Sequence, residues 1–285
     1  MAYKRLSSVL KRIEGAPNIA QEYQKAIEDQ LKRGVIETTQ CNPDMQEHFL
    51  PHHAVFNKGK IRLVYDASAH PKGLPSLNQS LFRGPVLLPN LINLLLRFRA
   101  TKIPVLADIE KAFHQISLIE SDREFCKFLW LKNMDQPLSP SNLAVYRFKR
   151  IAFGIISSPY ILAAVIRHHL SKERTDLANE IKENIYVDNV LLECDTREEA
   201  LEKCKAAKQM FATARMNLRE FCTHERAVLD QISLEDRLEQ DIPRVLGINW
   251  NLQRDTLQIK FPPLSKPITR RTVLGTISSC FDPMD

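Results

Sequence analysis

The sequence predicts a mixed α+β fold, and three observations carry the prediction. Short apolar runs of strand character recur at 60–66, 103–108 and 185–192. Between them lie segments whose apolar residues recur at helical spacing, notably 18–33 and 197–214. Two of the strand-like runs carry acids at their ends: Asp108 closes one, and Asp188 stands beside Asn189 at the tip of a candidate hairpin.

Composition sets the bounds. A chain of 285 residues suffices for about two domains or one subdivided domain. Its 44 % hydrophobic and 26 % charged residues are those of a globular protein, not a disordered one. The net charge of +6 suits a polyanionic partner and equally suits an ordinary mildly basic surface. Basic residues gather at Lys58/Lys60/Arg62, Arg97/Arg99/Lys102, Arg147/Lys149/Arg150 and Lys266/Arg270/Arg271. The six cysteines form no C-x-x-C pair and accompany no H-x₃₋₅-H run, which argues against a zinc or redox motif and for a reduced intracellular setting, cytoplasmic or nuclear. The adjacent pairs His52-His53 and His168-His169 point in different directions on any regular element and read as structural. The N-terminus lacks an apolar core of signal-peptide length, and the longest apolar cluster, 91–96, is interrupted by Asn93. No membrane association is expected.

In chain order, Ile19, Tyr23, Ile27 and Leu31 define a helix over 18–33, with Asn18 as cap and Gly34 after its end. The stretch 49–66 reads as a hairpin turning at Asn57-Lys58-Gly59. On its return strand Lys60 and Arg62 share one face, able to lie against a triphosphate, while Ile61, Leu63 and Tyr65 share the other. Residues 68–90, rich in Ser, Pro, Gly and Asn, read as loop, and Leu91–Arg99 as helix. After the strand ending at Asp108 comes Phe113, either a core aromatic or a ring placed under a nucleotide sugar. Two strands, 126–131 and 145–150, lead to Phe153-Gly154-Ile155-Ile156-Ser157-Ser158-Pro159. There Gly154 permits close backbone approach, Ser157 or Ser158 can cap, and Pro159 suits a first helical turn. Ile185–Leu192 is a hairpin whose tip presents Asp188 and Asn189, residues that tolerate positive φ. The acids at 108 and 188, brought side by side in one sheet, offer oxygen ligands to hard divalent cations. A helix over 197–214, a strand over 218–222, a hairpin of 244–250 with 256–261 around Arg254-Asp255, and a last helix capped by Thr269 complete the reading.

The wording and order of these segments resemble the reverse transcriptases, and most closely the Pao/BEL group of long-terminal-repeat retrotransposons. The resemblance rests on Leu50-Pro51-His52-His53-Ala54-Val55, Arg62-Leu63-Val64-Tyr65-Asp66-Ala67-Ser68, Ser76-Leu77-Asn78, Ala107-Asp108-Ile109-Glu110-Lys111-Ala112-Phe113 and Phe128-Leu129-Trp130. It continues in the 153–159 loop, Tyr186-Val187-Asp188-Asn189, Asn217-Leu218-Arg219, Val245-Leu246-Gly247-Ile248-Asn249-Trp250 and Phe281-Asp282-Pro283. It implies a right-hand polymerase fold, with an N-terminal segment and fingers over 1–103. A ferredoxin-like palm with a finger insertion would span 104–242, and a partial thumb or connection would start at 243–285.

The resemblance further implies two Mg²⁺ ions, with Mn²⁺ as an alternative, held by Asp108, Asp188 and the backbone carbonyl of Ile109. The partners would be an RNA or DNA template with its primer and deoxynucleoside triphosphates. Lys60 and Arg62 would hold the triphosphate, Phe113 would gate the sugar, and Gly154 and Ser158 would line the template–nucleotide pocket.

Two departures stand out. Asn189 occupies the place of the family's second hairpin aspartate. One charge about 4 Å from a cation is worth on the order of 4 kcal/mol at a surface-like dielectric, before desolvation, so weaker metal binding is expected. Glu220 stands where the family has a lysine assisting the leaving pyrophosphate, which also argues for weakened activity. No protease, ribonuclease H or integrase segment is read, so the chain resembles a piece of an element polyprotein. Template-directed DNA synthesis is the leading expectation. A catalytically inactive relic that binds primer–template is the alternative, and a metal hydrolase explains fewer of the segments.

Overall fold

The computed structural model describes residues 1–41, 47–57, 60–238, 240, 242–259, 262–263 and 267–280; of residues 56, 57 and 60 it describes the backbone only. The chain divides into two compact units, one of residues 1–86 and 111–162, the other of 87–110 and 163–285. The first unit begins with helices α1 (Ala2–Ile13) and α2 (Pro17–Lys32), strand β1 (Ile36–Thr39), the pair β2 (His52–Asn57) and β3 (Lys60–Tyr65), and the short helix α3 (Leu77–Ser80). The chain enters the second unit for helix α4 (Leu91–Ala100) and strand β4 (Ile103–Ile109). It returns for α5 (Ala112–Gln115), α6 (Glu120–Arg123), β5 (Lys127–Leu131) and β6 (Leu143–Phe148), and helix α7 (Ser158–Glu173) carries it back. The second unit then adds α8 (Asp176–Asn184), β7 (Ile185–Tyr186), β8 (Asn189–Cys194), α9 (Arg197–Thr213), β9 (Leu218–Cys222), α10 (Arg226–Leu229), the strands β10 (Arg244–Val245), β11 (Ile248–Asn251) and β12 (Thr256–Gln258), and α11 (Arg270–Ser278).

In the first unit β1, β6 and β5 form one antiparallel sheet, and β2 and β3 form a second. Helix α2 begins one residue earlier than the sequence suggests. Pro17, whose fixed φ suits the first helical position, starts it, so Asn18 lies inside the helix and does not cap it. Gly34, at φ +65°, ends it. The spacing of Tyr23 and Ile27 buries them against the sheets. Tyr23 stacks on Trp130 with ring centroids 4.4 Å apart, and the Trp130 indole N–H donates to Gln24 at 2.7 Å. His52 is buried beside them. Its Nε2 meets the Leu129 carbonyl at 2.9 Å, which can only accept; Nδ1 is therefore the acceptor for the Tyr23 hydroxyl. These bonds tie α2 to β2 and β5. Every residue of β5 is buried, including Lys127, whose ammonium pairs with Glu47 at 2.5 Å and Glu124 at 2.6 Å. The 57–59 turn falls partly outside the described residues, since only Asn57 is described, but the β2–β3 register pairs Asn57 with Lys60 and so leaves two residues between the strands.

The second unit is built on the antiparallel order β7-β8-β4-β9. With helices α7 and α8 after β4 and helix α9 between β8 and β9, this is the βαββαβ arrangement of ferredoxin-like folds. Residues 111–162 are inserted after its first strand, which is why the first unit is discontinuous in sequence. Alternation along the strands sets what covers the sheet. Leu106, Leu191 and Cys222 meet Phe98 of α4 and Val245 and Trp250 of the β10–β12 sheet in one apolar cluster. Helices α8 and α9 pack on β8, and α9 packs also on β4 and β9. The strand expected over 244–250 is broken: Leu246 and Gly247, both at positive φ, turn it into the β10–β11 hairpin. Of the strand expected over 256–261, Thr256–Gln258 pairs with β11, and Phe261 lies outside the described residues. Helix α11 begins at the Thr269 cap, closed by a reciprocal bond with Thr272. Among the described residues, no helix is long and apolar enough to cross a membrane.

Candidate active site

The two acids singled out in the sequence come together at one end of the β4–β8 pair. Asp108 lies directly opposite Asn189, so these two side chains share a sheet face. The Ile109 N–H donates to the Asp188 carbonyl at 2.9 Å, which ties the hairpin tip to the end of β4. The tip differs in register from the expectation. Tyr186 pairs with Asn189, so the two turn residues are Val187 and Asp188, and Asn189 is the first residue of β8. Positive φ falls on Val187, at +58°, rather than on Asp188 or Asn189. A β-branched residue in the left-handed region is strained by about 1–3 kcal/mol. The Tyr186–Asn189 pairing holds the strained turn, and Asp188 is its second residue.

The two carboxyls of this corner are both shifted towards the protonated form. The Asp108 carboxyl is pushed up to about 7, first by burial and then by the negative charges of Asp188, Glu220 and Glu110, with Arg219 opposing. Asp188 is likewise raised, mainly by burial, although the Asn189 amide N–H donates to its Oδ1 at 2.9 Å. Asn189 is thus a neutral hydrogen-bond donor to Asp188 rather than a second charge. Among the described residues no three His, Cys, Asp or Glu side chains are grouped closely enough to hold a metal ion. Two carboxylates and a carbonyl nevertheless fit Mg²⁺, which is commonly bound by one or two carboxylates and completes its shell with water and substrate phosphates.

On the third strand of this corner, Arg219 lies opposite Asp108 and reaches Glu110 at 3.3 Å, while its Nε is buried without a partner. The β4–β9 register slips by one residue between Leu106 and Asp108, a bulge in which Glu220 takes φ +55°. From the sequence Glu220 stands out only as a departure from the family's lysine; a bulge in β9 leaves no mark in hydrophobic periodicity.

The other candidate residues belong to the first unit. Arg62 is exposed on β3 while Tyr65 is buried, as the alternation requires; the Lys60 side chain lies outside the description. Phe113 is buried on α5, edge-on to Phe153 at 4.8 Å. Gly154 sits at φ +89°, and a Cβ there would stand 2.6 Å from the Tyr65 carbonyl oxygen. Asn78 clamps this loop, donating to the Gly154 carbonyl at 3.0 Å and accepting from the Ile156 N–H at 2.9 Å. Ser158 does not cap: it is buried, and its hydroxyl donates to the Ala152 carbonyl at 2.9 Å. Two of the basic clusters are engaged internally. Arg147 and Lys149 pair with Glu37, and Arg147 also with Glu124. Arg97 binds Asn184, Arg99 pairs with Asp255 and Lys102 with Asp195. Arg62 forms no ion pair among the described residues, and Arg270 and Arg271 are exposed.

No curated protein sequence matches the chain. Its structure is similar to that of a foamy viral protease-reverse transcriptase in complex with double-stranded DNA, at a TM-score of 0.63 and 17 % identity, over 90 % of this chain and 39 % of that one. A foamy viral protease-reverse transcriptase in complex with RNA/DNA hybrid gives 0.62 and 14 %, over 92 % and 30 %. The chain therefore spans less than half the length of these proteins, and at such identities the likeness shows the fold, that of the reverse transcriptase polymerase. The sequence itself matches the model of the reverse transcriptase (RNA-dependent DNA polymerase) family over residues 13–247. Most of the chain is covered by that match, and the chain belongs to the reverse transcriptase family.

Proposed function

We propose that this chain is the polymerase part of a retrotransposon reverse transcriptase of the Pao/BEL kind, extending a primer on an RNA or DNA template with deoxynucleoside triphosphates. The observation that carries the reading is the Asp108–Asp188 corner: two half-buried carboxylates with raised pKa, on segments tied by the Ile109 N–H donating to the Asp188 backbone carbonyl, in a family whose members are polymerases. In this reading residues 1–103 belong to the fingers, 104–242 to the palm with its finger insertion, and 243–285 to the start of the thumb.

Asp108, Asp188 and the Ile109 carbonyl would hold two Mg²⁺ or Mn²⁺ ions. The bound cations supply acidification of the primer 3′-hydroxyl and charge neutralisation at the leaving pyrophosphate. The chain's own residues do the rest. Val187 strain and the β4–β8 ladder hold the carboxylates in place before substrate arrives. Lys60 and Arg62 bind the triphosphate. Phe113, edge-on to Phe153, closes the space a 2′-hydroxyl would need. Gly154, clamped by Asn78, lets backbone approach the template–nucleotide pair, and Ser158 holds that loop through Ala152.

Primer extension on poly(rA)/oligo(dT) with Mg²⁺ or Mn²⁺ tests the reading. Asp188→Asn should abolish extension, and Asn189→Asp should extend at least threefold faster than the wild type, because a carboxylate replaces an amide beside the cations. Extension that survives Asp188→Asn in a folded protein would sink the proposal.

A further inference from the structure

Helix α1 carries four cations, Lys4, Arg5, Lys11 and Arg12, and no acid. Its apolar stripe, Leu6, Val9, Leu10 and Ile13, packs on the core of the first unit. Arg5, Ser8 and Arg12, at i, i+3 and i+7, share the strip alongside that stripe. The strip borders a cleft of about 390 Å³, whose other wall is formed where Pro51 and His53 open β2. Among the described residues no acid lines this cleft.

Three details suit the cleft to an anion. Asp66 pairs with one nitrogen of the Arg5 guanidinium at 2.6 Å, and its own N–H donates to the Pro51 carbonyl at 2.8 Å. Arg5 is thereby oriented against the far wall, and its fork keeps donors for a second acceptor. Arg12 is exposed, and among the described residues its side chain has neither an ion pair nor a hydrogen bond, so its charge is uncompensated. Ser8, between them, is short and turns its hydroxyl back to the Lys4 carbonyl at 3.0 Å, which leaves room between the two guanidiniums. Two arginines at one acid-free cleft favour phosphate, because the planar fork matches phosphate oxygens two at a time. The volume is at the small end for ligand pockets and admits a phosphate with part of the group that carries it; Val9 and Pro51 offer that group apolar contact.

We propose that the cleft between α1 and β2 binds a phosphate group, gripped by Arg5 and Arg12, with Asp66 positioning Arg5. The chemistry is the same for a phosphodiester of a nucleic-acid strand and for the phosphates of a free nucleotide. The site belongs to the first unit and uses no residue of the Asp108–Asp188 corner, so it stands or falls independently of primer extension.

Phenylglyoxal modification of the full chain without divalent metal, mapped by peptide mass spectrometry, reads the two arginines directly. Oligo(dT) supplies phosphodiesters, and deoxythymidine triphosphate supplies a free nucleotide. A probe seated in the cleft should slow modification of Arg5 and Arg12 about threefold or more once its concentration exceeds twice the Kd. Arg226, an exposed arginine of α10, should be unaffected. Protection by oligo(dT) alone assigns the phosphate to a strand, protection by the triphosphate alone assigns it to a free nucleotide, and protection by both shows a site that takes either. No protection by either probe, or equal protection of Arg12 and Arg226, overturns the proposal. Arg12→Glu should weaken the probe's apparent affinity, read from the protection of Arg5, roughly tenfold, as expected for a lost charge-assisted contact. Lys11→Glu makes the same charge change in the same last turn of α1 but outside the cleft, so it shares any cost to the helix. It should stay within about twofold of the wild type. Equal losses from the two variants would mean general attraction to a basic helix and would overturn the site.

Discussion

Gly154 is the residue at which the sequence and the structure demand the same thing for separable reasons. Its φ of +89° is costly for any side chain, and the Tyr65 carbonyl oxygen fills the place of a Cβ. Gly154→Ala should therefore cost about 2–4 kcal/mol, the sum of left-handed strain and a backbone contact that cannot swing away. Urea unfolding checks this, and a loss below about 0.5 kcal/mol would show that the loop relaxes freely. Legibility at this scale followed chemistry. Asp108, Asp188 and Gly154 announced themselves because an acid at a strand end or a glycine before a helix is unusual. Ser158 was legible as a helix-start residue, but its hydroxyl serves Ala152 instead of the helix. Asn78 and Glu220 owe their significance to residues 76 positions away in one case and to a ladder slip in the other, and neither is visible locally.

Among the elements, the hairpin that carries Asp188 sets strain against packing. Val187 is half-buried at φ +58°, whereas Val190, three residues on, is fully buried in regular β8. Val187→Gly relieves the strain while losing some burial and fixing a more flexible residue, so its stability should lie within about 1 kcal/mol of the wild type. Val190→Ala removes packed methyl groups and should cost about 2–3 kcal/mol. Equal costs at the two positions, measured by the same denaturant titration, would mean that the turn carries no stored strain. Helices with a long four-residue rhythm, such as α2 and α9, were readable to within a residue or two. Helix α1 was not anticipated, although Leu6, Val9, Leu10 and Ile13 have helical spacing. Helix α8 has nine residues, too few for periodicity to separate it from the polar segment around it. The β10–β11 break was hidden because Leu246 is a poor advertisement for a turn, and only Gly247 beside it hints at positive φ.

For the whole molecule, strand pairing lay beyond the reach of periodicity. Nothing local says that β9 joins β4, or that residues 111–162 leave the second unit and come back; both follow from contacts between residues far apart in sequence. The division has a measurable consequence, because the two units respond to pH with opposite signs at their most perturbed groups. In the first unit, burial holds His52 down to about 4, and burial together with the charges of Arg33 and Lys111 holds His114 to about 4. The unfolded chain takes up these protons near pH 6.5 and the folded unit does not, so stability falls as pH drops from about 6.5 towards 4, by on the order of 3 kcal/mol for the fully buried His52. In the second unit Asp108 is raised to about 7. There the folded state holds a proton that the unfolded chain has released, so its contribution improves as pH falls from about 7 towards 4 and its penalty is complete above 7. Carboxylates held low, Glu37 and Glu124 in the first unit and Glu199 and Asp236 in the second, lose their favourable contribution at acid pH in both units and leave the contrast in place. The chain's two tryptophans report the units separately, Trp130 in the first and Trp250 in the second. With Trp250→Phe and Trp130→Phe variants followed by fluorescence without metal, the Trp130 unfolding midpoint should fall more steeply between pH 7 and 5 than the Trp250 midpoint. Asp108→Asn should raise the Trp250 midpoint at pH 8 by about 2–4 °C and leave it unchanged near pH 4. Parallel pH slopes for the two signals, together with no effect of Asp108→Asn at pH 8, would mean that the acid corner is not a charged, half-buried site at all.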